Sequence, residues 1–358
     1  MKKKDQHKEK ITIDDIAKMA MVSKTTVSRY LNGKYEYMSE ETKERIEKII
    51  EKYQYKPSPV ARSLKTKSTK LIGFVVSDIE NAFAAPTINS MNQQLIDTGY
   101  HMIIASSNNS IEQEKKLIIS LIEQQVDAVL LNPVSFDASH LEDLNIEVPV
   151  ILIDRALKDK NYDIISADSL GSMRKALEHL KQEGFTELYA FSEAYENVEP
   201  RFRRIQVFEE MLRNQGYSEE KIKDSINVID HKNVSDVEER VKNIIQKTKG
   251  GVPAIIAING RTLLALAIAI KNLGIRMPYE IGLIGYDDFG NNTAHGWTML
   301  AQPPISSVTP NWDELGKKAI DLVIMRISNP KGVKKEILVE APIKAKESTK
   351  LYKKYRLE

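Results

Sequence analysis

From Lys70 onward, short and continuously apolar runs alternate with segments of helical spacing, and this alternation limits the fold more than any other feature. The first runs are 71–76, 102–105, 128–131 and 150–153. Strands that are apolar along their whole length are buried on both faces, and parallel strands need helical crossovers to join them. The pattern therefore predicts a parallel sheet with helices packed on both sides.

The same alternation starts again near Ile164 and predicts a second set of strands. These are expected at 188–191, 226–229, 254–258 and 281–286. We therefore predict an α/β core of two doubly wound parallel-sheet lobes. Ligands of such sheets bind outside the carboxyl ends of the strands, which places a cleft between the lobes.

Changes of pattern along the chain give the expected domain limits. Residues 1–56 are predicted to form a headpiece, 57–69 a linker, 70–345 the core and 346–358 a basic tail. The first lobe is expected to take about 70–166 plus 306–330, and the second about 167–305 plus 331–345. Because the tail has no sustained heptads, we expect a dimer and not a tetramer.

Residues 12–32 predict two short helices joined by a tight turn. Thr12 with Asp15 can cap the first helix, and the hydroxyl of Ser23 can cap the second. The apolar residues of the second helix can pack on the first, which leaves its polar side exposed. Such a helix-turn-helix presents its second helix to the major groove of DNA. An ordinary helical hairpin with a solvated charged face is the alternative.

The exposed side of the second predicted helix carries residue types that suit DNA recognition. Thr25 and Arg29 lie one turn apart and can read neighbouring base pairs, since Arg can donate two hydrogen bonds to guanine. Ser28 and Asn32 are better placed for phosphates, which position a protein without reading sequence.

A third helix from Ser39 completes the predicted headpiece, and a further capping signal follows in the linker. Ser58 and Pro59 can begin a helix of two turns, which is too short to be stable alone in water. We predict a conditional helix whose apolar side faces a partner while Arg62 and Lys65 face phosphate. A charged, flexible tether is the alternative.

The composition indicates a globular protein of the cell interior. The 358 residues are 42% hydrophobic and 28% charged, with a net charge of +2. Positive charge is concentrated in 1–10 and 52–70, where binding to DNA would release counterions. The sequence has no cysteine, no signal peptide and no apolar run near the roughly 18 residues of a membrane helix. We expect a cytoplasmic protein without membrane partners.

Several motifs in one order resemble the lactose repressor family of bacterial transcription regulators over about 12–345. They are VSKTTVSRYLNG, the hinge ARSLK, IGFVVSDIENAF, LLNP, VPVILIDR, ADSLGSMRKALEHLKQEG and IGYDD. The resemblance implies a core like that of periplasmic binding proteins, and a homodimer whose headpieces read a pseudo-palindromic operator. Gly260 departs from the family, which often has Asp there, so the far wall of the cleft is expected to differ.

The resemblance also assigns residues to DNA. Lys24, Thr25 and Arg29 match base-reading positions, and Leu64 matches a leucine that wedges between base steps in the minor groove. The predicted DNA-binding residues are Ser23, Lys24, Thr25, Thr26, Ser28, Arg29, Asn32, Ala61, Leu64 and Lys65.

The resemblance places the effector site in loops at the ends of strands. The predicted effector-binding residues are Ser77, Asn81, Phe83, Asn132, Asp154, Arg204, Asn259, Asp287 and Trp312. Polar side chains beside an aromatic ring suit a sugar. The arginines near these loop ends are Arg155, Arg201, Arg203, Arg204 and Arg261.

Guanidinium groups match carboxylates, so we hypothesise that the effector is an acidic sugar derivative. The stretch LIEQQVDAVLLNPVSFD also resembles regulators of ketodeoxygluconate or hexuronate breakdown. The alternative is that these arginines form surface ion pairs.

An enzyme and a stand-alone sugar-transport protein are the competing functions. The six histidines are scattered without metal-ligand spacing, and 285–290 lacks the continuation of a phosphate-binding loop. No catalytic residue, metal or cofactor is therefore predicted. A transport protein would need an export signal in place of the headpiece. We expect a repressor of carbohydrate catabolism genes that is not an enzyme.

Overall fold

The computed structural model of the protein describes residues 11–56, 68–137, 139–158, 161–288 and 296–351. The chain divides into two compact units, Met1–Thr69 and Lys70–Glu358. The predicted hinge contacts of Ala61, Leu64 and Lys65 lie outside the described residues. Among the helices that are described, none combines the length and apolar character needed to cross a membrane.

The described part of the first unit contains three α-helices and one short 3-10 turn. These are α1 Ile13–Met19, α2 Lys24–Leu31, the turn Tyr35–Tyr37 and α3 Glu40–Tyr53. Hydroxyl caps on Thr12, Ser23 and Ser39 start the three α-helices. Each helix buries one side chain completely, namely Ile16, Val27 and Ile46, at roughly 1.5 to 3 kcal/mol apiece. The predicted helix-turn-helix headpiece is confirmed.

The first lobe of the second unit is built on a six-stranded parallel sheet. Its strands are β1 Leu71–Val76, β2 His101–Ser106, β3 Ala128–Asn132, β4 Val150–Ile153, β5 Asp163–Ala167 and β11 Glu336–Val339. The sheet order is β11-β5-β4-β3-β1-β2. It is covered by the helices α4 Ala84–Leu95, α5 Ile111–Glu123 and α11 Trp312–Ser328.

The second lobe repeats this plan. Its helices are α6 Ser169–Glu183, α7 Glu199–Asn214, α8 Glu219–Asp224, α9 Val234–Lys247 and α10 Gly260–Asn272. Its strands are β6 Glu187–Ser192, β7 Ile226–Val228, β8 Pro253–Ala257, β9 Gly282–Tyr286, β10 Ser306–Val308 and β12 Ile343–Lys344. The order is β12-β10-β9-β8-β6-β7, and among these described strands only β12 pairs antiparallel. Two doubly wound sheets are therefore confirmed.

The points at which the chain passes from one sheet to the other differ from the predicted boundaries of the two lobes. Strand β5, where the second repeat was predicted to start, pairs with β4 in the first sheet. Strand β10 joins the second sheet and β11 joins the first, so the expected assignments of 306–330 and 331–345 are wrong for these two strands. An apolar run predicts that a strand forms. Tertiary packing decides which of the two sheets the strand joins.

The predicted basic tail begins inside the fold. The 3-10 turn Glu347–Thr349 lies beside β9 and β10, and Ser348 and Thr349 are fully buried. The hydroxyl of Ser348 donates to the carbonyl of Leu283 at 2.6 Å, and the Thr349 hydroxyl lies 2.6 Å from that of Ser306. The second lobe therefore extends at least to Leu351, which is also buried.

Candidate DNA-binding face and effector cleft

Helix α2 presents the predicted base-reading residues to solvent. Lys24, Thr25 and Arg29 are exposed, whereas Val27 is fully buried on the opposite side of the helix. Lys24 makes an ion pair of 2.8 Å with Asp14, and both side chains stay more than half exposed. Because such a pair contributes little, Lys24 can exchange the carboxylate for a contact with DNA at small cost.

Other predicted DNA contacts also hold α2 together. The Ser23 hydroxyl accepts the backbone N–H of Thr26 at 3.1 Å and lies 2.9 Å from the Thr26 hydroxyl. The amide of Asn32 donates to the carbonyl of Ser28 at 2.5 Å. These contacts fix the two ends of α2, and any role of the same side chains at phosphate stays a prediction.

Arg29 has a neighbour that its sequence spacing did not indicate. Its guanidinium carbon lies 5.1 Å from the centre of the Tyr37 ring, in the 3-10 turn after α2. Tyr37 remains 62% exposed. The helical pattern of α2 carries no signal for this contact, since Tyr37 lies beyond the end of the helix.

In the second unit, most of the predicted effector residues line two small cavities at the carboxyl ends of the strands. These residues are Asn81, Phe83, Asn132, Asp154, Arg204, Asn259 and Asp287. Ser77 and Trp312 line neither cavity. The Ser77 hydroxyl donates to the amide oxygen of Asn132 at 2.6 Å, and the Trp312 ring lies edge-on behind Phe83, with 5.3 Å between ring centres. Both residues therefore support cavity-lining neighbours.

Glu193 organises the wall formed by the second lobe. One of its carboxylate oxygens accepts the side-chain amide of Asn259 at 2.5 Å and pairs with Arg201 at 2.7 Å. The other oxygen lies 2.9 Å from Nδ1 of His231. Sequence reasoning missed Glu193, although its position directly after β6 was an available signal.

The arginines near the cleft fall into two groups. Arg201, Arg203 and Arg261 pair with Glu193, Glu199 and Asp78 at 2.7, 3.2 and 2.7 Å. Arg203 is partly exposed on α7, so its contact with Glu199 is the kind of surface ion pair that the sequence predicted as the alternative to ligand binding.

Arg155 and Arg204 differ, because no carboxylate of the described residues lies within ion-pair distance of either. Arg155 donates to the carbonyl of Pro133 at 3.0 Å, and Arg204 donates to the carbonyl of Ile258 at 2.7 Å. Arg204 also lies 3.7 Å from the centre of the Tyr286 ring. Both guanidinium groups are buried, and the Nε atom of each has no hydrogen-bond partner. Neither guanidinium group therefore has an ion-pair partner among the described residues, and carboxylates at longer range offset part of the positive charge.

Two carboxyl groups face the same cavity. Asp154 and Asp287 adopt left-handed backbone conformations, with φ of 70° and 61°, which cost non-glycine residues on the order of 1 kcal/mol each. Burial raises the pKa of Asp154 to about 7; the positive charges of Arg155 and Arg204 oppose this rise, and Asp287 adds to it. Burial also raises the pKa of Asp287. Asp154 therefore populates both protonation forms near neutral pH.

The cleft is closed. The two cavities have volumes of about 10 and 20 Å³, room for roughly one water molecule each. Arg261 of the second lobe reaches Asp78 of the first at 2.7 Å and Glu80 at 3.8 Å. A Cβ atom at Gly260 would lie 2.9 Å from that of Ala82, so the missing side chain permits this close approach.

On another side of the cleft, aromatic and backbone contacts join the lobes. The rings of Phe136 and Phe202 lie 6.3 Å apart, and the backbone N–H of Phe136 donates to the carbonyl of Asn197 at 3.1 Å. With the lobes in this arrangement, the cleft has no room for a sugar-sized ligand.

A larger groove of about 350 Å³ lies between α6 and α7. It is lined by side chains of the two helices, including Arg174, Glu178 and Met211, and not by the carboxyl ends of strands. Two of its charged lining residues, Arg174 and Glu210, pair with each other at 3.6 Å on the exposed surface of the two helices. The cleft at the strand ends remains the candidate ligand site.

A headpiece with an exposed recognition helix, joined in one chain to a two-lobed core with a polar cleft, defines the class of DNA-binding regulators with a ligand-binding core. Residues 12–58 match the family described as bacterial regulatory proteins, lacI family, and residues 177–349 match a periplasmic binding protein-like domain. The HTH-type transcriptional regulator KdgR of Bacillus subtilis (strain 168) is 31% identical over 333 residues, which are 93% of this chain and 96% of that protein. The protein belongs to the lacI family and is a DNA-binding transcriptional regulator.

Solved structures show the same fold. The lac repressor dimer bound to operator and the anti-inducer ONPF has a TM-score of 0.79 at 21% identity, covering 95% of this chain and 99% of that one. The complex of the transcriptional regulator CelR with cellobiose has a TM-score of 0.65 at 22% identity, covering 94% and 99%.

Proposed function

We propose that the protein is a homodimeric, cytoplasmic repressor of carbohydrate catabolism genes, and that an acidic sugar bound in the cleft controls its affinity for DNA. One observation carries the choice of ligand: Arg155 and Arg204 are buried at the cleft without a carboxylate partner among the described residues. A buried guanidinium group without an ion-pair partner is costly, and an anion that joins it offsets this cost. The CelR complex with cellobiose supports a sugar as the ligand of this fold.

The cleft offers a complementary site for each part of such a ligand. Its carboxylate would bind Arg155 and Arg204, and its hydroxyls would donate to Asp154 and Asp287. The ring of Phe83, which lines both cavities, would pack against the apolar side of the sugar. Ser77, Asn132, Asn259 and Trp312 would hold these groups in place.

On the DNA side, Lys24, Thr25 and Arg29 would read base edges, and Ser28 and Asn32 would contact phosphates. Ser23 and Thr26 would hold the start of the recognition helix. The hinge residues Ala61, Leu64 and Lys65 would complete the contact in the minor groove. Each half of a pseudo-palindromic operator would take one headpiece of the dimer.

Calorimetric titration of the full-length protein tests the ligand class. We expect gluconate-type acids to bind and the corresponding neutral sugars to bind weakly or not at all. Arg155→Gln and Arg204→Gln should each weaken binding of the acid by about ten- to a hundredfold, because a charge-assisted hydrogen bond is lost. Arg203→Gln is the matched control, since it removes an arginine of the same helix as Arg204 that pairs with Glu199.

Equal indifference to every acid tested, or equal binding of neutral sugars, would end the acidic-sugar proposal. Retardation of promoter fragments from the protein's own genomic neighbourhood tests the DNA half separately. Failure to shift any of them at low salt, with and without sugars, would contradict a role as an operator-binding repressor.

A further inference from the structure

Tyr37 is an exposed aromatic residue beside the recognition helix. Its side chain covers the guanidinium group of Arg29 at 5.1 Å while 62% of the residue stays exposed. Among the described residues, no hydrogen bond or ion pair holds the Arg29 guanidinium in another direction. Within the described part of the chain, the Tyr37 ring is therefore the group that contacts the Arg29 guanidinium.

The turn that carries Tyr37 is anchored on both sides. Gly33, at φ 70°, ends α2, and the backbone N–H of Lys34 donates to the carbonyl of Arg29 at 3.0 Å. Tyr35 packs edge-on against Tyr30, with ring centres 5.6 Å apart, and Nζ of Lys43 lies 5.0 Å from the centre of the Tyr35 ring. These contacts tie the turn to α2 and α3, so the backbone that carries Tyr37 is held beside Arg29.

We propose that Tyr37 is a specificity-determining residue: it positions the guanidinium group of Arg29 for a two-pronged contact with one guanine. A cation over a ring face is attracted by the ring quadrupole, and this attraction leaves the N–H donors available for a base. An arginine held in this way loses less side-chain entropy when it binds DNA. The inference rests on the proposed function of Arg29 as a base-reading residue.

Selection of full-length protein variants on a duplex library with a randomised central stretch tests the proposal. Arg29→Ala identifies the base position that Arg29 reads. Tyr37→Leu should lower the preference at that same position by about two- to sixfold and leave the other positions unchanged. Tyr37→Phe, which keeps the ring and loses only the hydroxyl, should retain the preference of the unaltered protein.

Tyr53→Leu is the matched control, because Tyr53 is also exposed and lies 5.4 Å from Nζ of Lys52, but at the end of α3. It should not change base preference. Thermal unfolding of each variant, followed by circular dichroism, should show an intact headpiece, since neither tyrosine is buried in its core.

Three results would overturn the inference. One is an Arg29→Ala variant that loses its preference at one position while Tyr37→Leu keeps that preference. Another is equal weakening of all DNA sequences by Tyr37→Leu and Tyr37→Phe, which would assign the tyrosine hydroxyl to phosphate. If Arg29→Ala changes no base preference, the proposed role of Arg29 fails, and the role of Tyr37 fails with it.

Discussion

At the scale of single residues, Asp154 shows how the cleft prepares a group for its ligand. It lines both cavities from the end of β4, and its pKa is raised to about 7 by burial from an ordinary value of 3.8. The folded protein therefore holds this proton more tightly than the unfolded chain, and Asp154 lowers stability increasingly as the pH rises from 3.8 towards 7. Sugar hydroxyls that donate to the carboxylate would remove this cost, because they favour its ionised form.

We expect the affinity for the effector to fall as the pH drops below 7, by up to about tenfold per pH unit, because Asp154 must then lose a proton on binding. Above pH 7 the affinity should level off. Titration calorimetry between pH 5.5 and 8 measures this, and Asp154→Asn should flatten the profile. His231 lies nearby, with Nδ1 2.9 Å from Glu193, so His231→Gln is the control that should keep the dependence. Affinity that rises with acidity would contradict the assignment.

At the scale of elements, one buried ion pair holds together the last segments of chain that pass between the two sheets. Arg326 of α11 donates to both carboxylate oxygens of Asp163 in β5, at 2.8 and 2.7 Å, and both side chains are almost fully buried. The same arginine donates to the carbonyl of Val333, and the backbone N–H of Lys335 donates to Asp163 at 3.0 Å. The pair thus joins α11, β5 and the segment that leads into β11.

Removing one partner leaves the other buried and unpaired. Arg326→Met should lower the free energy of unfolding by about 3 to 5 kcal/mol, measured by urea denaturation. Burial alone would raise the pKa of Asp163, but hydrogen bonds from Arg326 and Lys335 lower it overall. The contribution of the pair is therefore present at neutral pH and is lost as the pH falls through the lowered pKa.

Replacement of both partners, Asp163→Leu with Arg326→Met, should recover part of the loss, since no charge is then left buried alone. A double variant that is less stable than the sum of the two single variants would speak against this account. Neither change should alter the base preference of the protein.

At the scale of the whole ligand-binding unit, direct contacts between the lobes keep the cleft closed. Arg261 bridges to Asp78 and Glu80, and Gly260 lies against Ala82. The family often has Asp where this chain has Gly260, and any side chain there would push against Ala82 or the carbonyl of Asp287. Close packing across the cleft therefore explains why this chain has glycine at position 260.

Because a sugar must part the lobes to reach its site, we expect Arg261→Ala to raise the association rate of the effector severalfold. Stopped-flow fluorescence of Trp312, which contacts Phe83 at the cleft, measures this rate. Lys317→Ala is the control, because Lys317 forms an exposed ion pair with Asp321 on the outside of α11. An unchanged association rate in Arg261→Ala would mean that another contact limits opening.

The sequence by itself determined the secondary structure and the two classes of site. Capping residues such as Thr12, Ser23 and Ser39 act within one helical turn, and buried strands need only a run of apolar residues. For this reason the helix-turn-helix and the parallel sheets were predictable from local patterns. Loops at strand ends were predictable as the cleft, because parallel sheets gather those ends on one edge.

Only the tertiary structure decided which groups meet across long stretches of chain. Strand β11 joins the sheet edge formed by β5, which lies more than a hundred residues earlier in the chain, whereas β10 joins the edge formed by the preceding strand β9. Which arginines are neutralised depends on carboxylates such as Asp78 and Glu193, and the contact of Tyr37 with Arg29 depends on how a turn folds back. These pairings are set by distance in space, which local sequence periodicity does not encode.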